Sequence, residues 1–403
     1  MSTAVAVARS ELAQKARQFP ARAFALLGAL LAVAGGAAFF WILAVGGAAR
    51  AWQAWHVNFM FWTGLAQGLV VFAATQKLAK GHWSGVIIRF AEAAVAFLPV
   101  SLLLYLGLMV GRVHIFSWLH EPRPDLGSWL TAKFFFARNG LIYLFLAWLS
   151  WRFVRHDVAP DVRELADGRP ADRLEGRDAI TRGAAVLVVG YAFGYSLLAF
   201  DLMMSLAHKW VSNLFGAFYF MGSFLAALMA LAVLVIAVRR RMGLEGVFSA
   251  KQQHDLGKLC FGFTVFWAYL MWAQFLVIWY GNLPEETFYI FYRLFGPWKP
   301  FGVAVFLLVF LAPFIGLLGV RPKKYAPTFV TFALVSLTGI WLERYLEIVP
   351  SINGGAGPAI GLPEIGVTLL FGGLFLLSLG WFGARYPMLS PRLAADTLER
   401  ERH

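Results

Sequence analysis

Ten long apolar runs constrain this chain more than any other feature. They fall near residues 24–47, 55–76, 86–111, 133–154, 182–206, 213–238, 256–280, 298–319, 326–349 and 363–384. Each has the roughly 20 residues that a helix rising about 1.5 Å per residue needs to cross some 30 Å of hydrocarbon. Backbone polar groups in lipid must be satisfied within the segment, so the expected fold class is an all-α integral membrane protein with about ten transmembrane helices. Composition agrees: 14% of residues are charged and 60% hydrophobic, where a soluble domain has about a quarter charged.

The formal net charge of +13 first points to nucleic acid, but its distribution points to a bilayer surface. Basic residues gather at alternate span ends: Arg9, Lys15, Arg17 and Arg22 before the first span, Lys77 and Lys80 after the second, and Arg155 to Arg182 after the fourth. Arg239–Arg241 follow the sixth, Arg321, Lys323 and Lys324 the eighth, and Arg385 and Arg392 the tenth. The other loops hold fewer: Arg50, then Arg112 and Arg123 with Lys133 at the start of the fourth span, then Lys209, then Arg293 and Lys299. The positive-inside rule then predicts cytoplasmic termini and a multi-pass protein of the plasma membrane that contacts lipids and no nucleic acid. The chain divides into an arm (1–23), spans 1–4 (24–154), a charged loop (155–181) read as a solvated cytoplasmic linker, spans 5–10 (182–384) and a tail (385–403). The first span reads as an anchor, since Arg9 to Arg22 precede it and no small-residue cleavage site ends a short apolar core.

The single cysteine, Cys260, excludes an iron–sulfur cluster, a Cys-based zinc site or a c-type haem held by this chain alone. Of the eight histidines, no span carries two at the separation that sandwiches stacked b haems. No metal site and no catalytic residue is expected.

Chemistry is concentrated in ionisable groups inside or at the ends of spans, which are costly there and functional candidates by default. In the stretch FDLMMSLAHKWVSNLFGAFYFM (200–221), Asp201, Ser205 and His208 follow i, i+4, i+7 spacing and share one face of a continuous helix. Asp201 and His208 would then lie about 10 Å apart. With Glu343, Arg344 and Glu347 of WLERYLEIVP they form an outer layer. An inner layer holds Arg89 and Glu92, and His254, Asp255 and Lys258 of HDLGKLCFGF. Protons need groups that change charge state, so two such layers read as two half-channels, with Gln67, Ser101, Tyr105, Tyr191, Tyr195, Ser196, Thr264 and Gln274 between them. The plainer reading makes Asp201 a packing acid, Arg89–Glu92 a snorkelling pair, and the stripe Trp267, Tyr269, Trp272, Trp279 and Tyr280 an interfacial belt. Outside the spans, HIFSWLHEPRPDLGSW (114–129) reads as an interfacial docking loop and Pro284–Pro297 as a short amphipathic segment.

Three stretches carry a resemblance: DLMMSLAHKWVSNLFGAFYFMGSF, HDLGKLCFGFTVFWAYLMWAQFLVIWYGNLPEET and WLERYLEIVPS. Together they resemble the NrfD/PsrC-like membrane subunits, most of all the ActF subunit family of bacterial alternative complex III, a quinol:cytochrome c oxidoreductase. The likeness is dense over about 190–350 and weaker over the first four spans. It implies two four-helix bundles, spans 2–5 and 6–9, with spans 1 and 10 peripheral. It also implies a sister NrfD-like subunit that oxidises quinol, a multihaem cytochrome c and an iron–sulfur subunit, which carry the haem c and clusters, and a terminal oxidase downstream. By position, Asp201, His208 and Trp210 fall on the family's acid and His–Trp motif, and His254, Asp255 and Lys258 on the motif opening span 7. Glu343 and Arg344 fall on the Glu–Arg of span 9. The chain departs from the quinol-oxidising sister in span 4, where Arg138 and Asn139 stand and no histidine matches; His56 and His114 are candidates by region.

Three functions therefore stand side by side. The first is a scaffold that conducts protons, with Asp201, His208, Glu343 and Arg344 on the outer path and Glu92, His254, Asp255 and Lys258 on the inner. The second is a quinone-binding redox subunit using Asp201, His208 and Trp210. The third is a stand-alone secondary transporter, for which no matching pair of Gly/Pro-interrupted spans is evident.

Overall fold

The structure, a computed structural model, describes residues 3–121, 127–172, 176–207, 210–353 and 356–402. Among them, ten helical segments are long and apolar enough to cross a membrane. In chain order the elements are α1 (Thr3–Ala16), α2 (Ala21–Ala44), α3 (Ala48–Leu78), α4 (Ile88–Val110), α5 (Ala132–Asp167), α6 (Arg177–Leu202) and α7 (Phe215–Val238). They continue with α8 (Ala250–Gly281), α9 (Pro284–Leu294), α10 (Gly296–Gly316), α11 (Ala326–Ile352), α12 (Leu362–Arg385) and α13 (Pro391–Arg402).

Helices α3–α6 form one four-helix bundle, and α7, α8, α10 and α11 the second. The expected all-α, two-bundle membrane fold is the one adopted. Helix α3 is the axis of the molecule, buried along nearly its whole length between the bundles. Gly64 and Gly68 let α7 approach it: a Cβ on Gly64 would lie 2.5 Å from Ser223 Oγ. Helices α2 and α12 pair outside the bundles along a glycine seam. A Cβ on Gly35 would lie 2.3 Å from Leu370 N, and one on Gly373 2.4 Å from Ala32 N. Small residues let two backbones touch where lipid offers no hydrophobic drive to association.

Two spans are irregular, one in each bundle. A 3₁₀ stretch, Ala93–Ala96, interrupts α4 just before Pro99, and a π stretch, Phe306–Leu311, interrupts α10 just before Pro313. A proline ring displaces the carbonyl four residues earlier, and the ladder adjusts by tightening or widening.

The strand of charge expected to be a solvated linker is largely something else. Helix α5 runs on to Asp167, and Asp157 and Asp161 are fully buried, with Glu164 nearly so. Pro160 does not end the helix. Only the remainder of the 155–181 segment, including Arg173 and Glu175 outside the described residues, connects α5 to α6.

Both ends of the chain lie on one face, hereafter the terminal face. Arg9 of α1 donates to both Glu164 oxygens, at 2.7 and 2.6 Å, and Met388 N donates to Ala16 O. Helix α13 packs on α1 and on the turn His82–Val86, where the Thr397 hydroxyl donates to His82 O. The tail is thus a docked helix.

Two buried charge clusters as the candidate functional site

The inner cluster is built where α3 ends, α4 begins, α5 nears its end and α13 docks. Arg89 donates to Glu92 one turn on and to Asp161 across the bundle, and to Asp157 O at 3.3 Å. Lys77 Nζ lies 2.8 Å from Asp157 Oδ1, and Arg392 Nη2 3.3 Å from the same oxygen. Three cations (Lys77, Arg89, Arg392) thus meet three carboxylates (Glu92, Asp157, Asp161), and the full set is neutral. Burying such charges costs several kcal/mol per ion, which the mutual pairing of the six groups offsets.

Of the inner residues expected from sequence, the structure brings Arg89 and Glu92 into this cluster and leaves His254, Asp255 and Lys258 outside it. Lys258 pairs with Asp255 at 2.6 Å on the α8 surface, with His254 half-buried beside them. They are one turn apart at the water-facing start of a helix, which explains a surface pair. The neighbouring Lys323, between spans, caps the end of α10 by donating to Leu317 O at 2.8 Å, and burial and Lys258 lower its pKa.

The outer layer splits into two parts. In the first, Arg138 of α5 holds Asp201 of α6 at 2.7 and 2.9 Å, and Trp129 Nε1 donates to the same carboxylate at 3.1 Å. The Arg138 guanidinium lies over the Trp129 ring at 3.7 Å. Asp201 is therefore pinned between helices, as the plainer reading expects. His208 lies outside the described residues. Trp210 is absorbed elsewhere: its ring stacks on Tyr289 of α9, 3.6 Å between centroids and 4° from parallel.

In the second part, Arg344 Nη1 donates to Glu343 Oε1 at 3.1 Å and Nη2 to Tyr219 O at 3.1 Å, with the guanidinium over the Tyr219 ring. Both residues are 1% exposed. Glu347 belongs to a separate knot, accepting from the Tyr289 hydroxyl while Arg293 donates to its carbonyl at 2.7 Å.

Sequence comparison offers no relative. No protein-family model matches the chain, and no curated protein matches it. The site must be read from its own geometry.

That geometry has a common element. Glu92 and Glu343 each keep one carboxylate oxygen on an arginine, while the other takes no hydrogen bond from any described residue (Glu92 Oε1, Glu343 Oε2). A carboxylate so held accepts a proton without releasing its cation. Between the layers the interior carries polar side chains. Gln67 Nε2 of α3 donates to Ser150 Oγ of α5 at 2.8 Å, and the Tyr195 hydroxyl to Thr63 O at 3.0 Å. Tyr143, whose hydroxyl has no partner among the described residues, lies 6.4 Å from Tyr195, which stacks on Tyr219.

A cleft of about 890 Å³ opens on the terminal face between the end of α3, the start of α6 and α13, and Asp157 and Arg392 line it. It links the inner cluster to the surface of that face.

Four residues of this site escaped the sequence reading as cluster members: Lys77, Asp157, Asp161 and Arg392. Asp157, Asp161 and Glu164 do carry a signal, for i, i+4, i+7 spacing puts them on one helix face. Sequence placed His56 by region alone. It is fully buried in α3 beside Phe116, and neither ring nitrogen has a partner among the described residues.

Proposed function

We propose that this chain is a proton-conducting scaffold subunit of a membrane electron-transfer complex, of the alternative complex III type that its motifs resemble. The observation that carries this is the paired geometry of Glu92 and Glu343, two arginine-held carboxylates near opposite ends of the helices, each with an open oxygen. The inner half-path runs from the terminal-face cleft through Asp157 to Glu92, with Asp161 and Arg89 setting the charge. Gln67, Ser150, Thr63, Tyr195 and Tyr219 offer polar steps along the middle, and Glu343 with Arg344 is the outer end. Asp201 fixes α5 against α6 beside that path. In this reading His254, Asp255 and Lys258 mark a surface beside the inner mouth.

The terminal face carries the basic loops, which supports a cytoplasmic location for it and residence in a bacterial inner membrane. The quinol-oxidising sister, the multihaem cytochrome c and the iron–sulfur subunit would carry the redox groups. Mild-detergent purification tests the reading: the chain should co-purify with haem-bearing partners and a c-type spectrum. Isolation as a lone homo-oligomer free of haem would overturn it and favour a transporter.

A second reading, in which the chain itself binds quinone, draws on His56. A fully buried imidazole without a partner is costly, and a quinone oxygen would satisfy it. A quinone photolabel mapping to α3–α6 would favour that reading; labelling confined to a partner subunit would remove it.

A further inference from the structure

The terminal-face cleft has a charge that the proton path does not use. Beyond Asp157 and Arg392 at its inner wall, it is lined by Lys77, Lys80, Arg177, Arg182 and Arg400, with His82 beside them. Against these six cations stand three carboxylates, Asp157, Asp178 and Asp396. Two of these are engaged: Asp157 with Lys77 and Arg392, and Asp396 with His82 at 2.9 Å and Arg400 at 3.2 Å; Asp178 is exposed at the mouth. Arg182 reaches only the carbonyl of Asp178, at 3.4 Å, which neutralises neither group. The excess sits in Lys80, Arg177 and Arg182, all exposed to the cleft mouth.

Lys80 stands at the mouth as the left-handed residue, φ 51°, that ends α3, where Gly81 N donates back to Gln76 O at 2.9 Å. Apolar Leu78, Ile88 and Ile180 line the cleft as well, at the point where α3 ends and α6 begins.

We propose that the cleft binds the phosphate of an anionic phospholipid headgroup, such as that of phosphatidylglycerol. The phosphate lies among Lys80, Arg177 and Arg182, and the first methylenes of the tails rest on Leu78 and Ile180. Basic pockets between helix ends at a membrane surface are suited to such headgroups. The site shares its cleft with the entry of the proposed proton path, which lies deeper, at Asp157 and Arg392; lipid retention is read out separately from proton translocation.

The test uses the full chain, delipidated in neutral detergent, with native mass spectrometry and thermal unfolding as readouts. Phosphatidylglycerol should be retained through detergent exchange and should raise the unfolding midpoint, whereas phosphatidylcholine should do neither. The triple variant Lys80→Ala/Arg177→Ala/Arg182→Ala should fold and weaken phosphatidylglycerol binding about a hundredfold, at roughly a few-fold to tenfold per cation. The exposed pair Arg240→Ala/Arg241→Ala should leave binding unchanged. An equal midpoint shift with inorganic phosphate alone would overturn the lipid assignment in favour of a soluble anion. Equal binding by the triple variant would overturn the site.

Discussion

Arg138 and Asp201 join α5 to α6 through a buried ion pair of 2.7 Å, with the arginine sandwiched on Trp129. Asp201 is 1% exposed. Removing one partner leaves the other charged and buried, which costs about 3–5 kcal/mol. Arg138→Met alone should therefore lower the unfolding midpoint markedly. Arg138→Met/Asp201→Leu should recover most of the loss, because neither charge then remains. A double variant no better than the sum of the singles would show that the pair does not couple.

The α2–α12 seam has an internal control. A Cβ on Gly35 would lie 2.3 Å from Leu370 N, whereas the nearest atom to a Cβ on its neighbour Gly36 is 4.0 Å away. Gly35→Ala should destabilise by about 1–3 kcal/mol or more, the cost of overpacking against backbone. Gly36→Ala should be neutral or slightly stabilising, since alanine favours helix. Thermal unfolding in detergent separates the two.

Arg392 fastens the C-terminal helix to the inner cluster. Arg392→Met should leave Asp157 and Asp161 undercompensated and loosen α13. The expected result is faster hydrogen exchange over residues 391–402 and 153–167, with α7 and α11 unchanged. Unaltered exchange in α13 would show that its packing on α1 and His82–Val86 suffices.

Much of this architecture is legible in the residues because lipid leaves few options. The run 326–349 matches α11 (Ala326–Ile352) closely, and 213–238 matches α7. The run at 133–154 falls short of α5 by 13 residues at its end. Hydropathy reads Asp157, Asp161 and Glu164 as leaving the membrane, but their partners (Lys77, Arg89, Arg392 and Arg9) are distant in sequence. Pairing of that kind is a tertiary fact. The same holds for Asp201, whose arginine is 63 residues away, and for Trp210, whose partner Tyr289 lies beyond two spans. Asp255 and Lys258, candidates for the inner path by their place at a span start, pair with each other on the surface of α8. The loop His114–Trp129 is described only in part, with 122–126 outside the described residues.

Proton translocation per electron, measured on the purified complex in sealed vesicles, tests the central claim most directly. Glu343→Gln keeps the side chain's size and its contact with Arg344 while removing the group that accepts the proton. The account predicts that the variant oxidises quinol at close to the wild-type rate while translocating fewer protons per electron. An unchanged proton-to-electron ratio, in a complex that assembles normally, would contradict it.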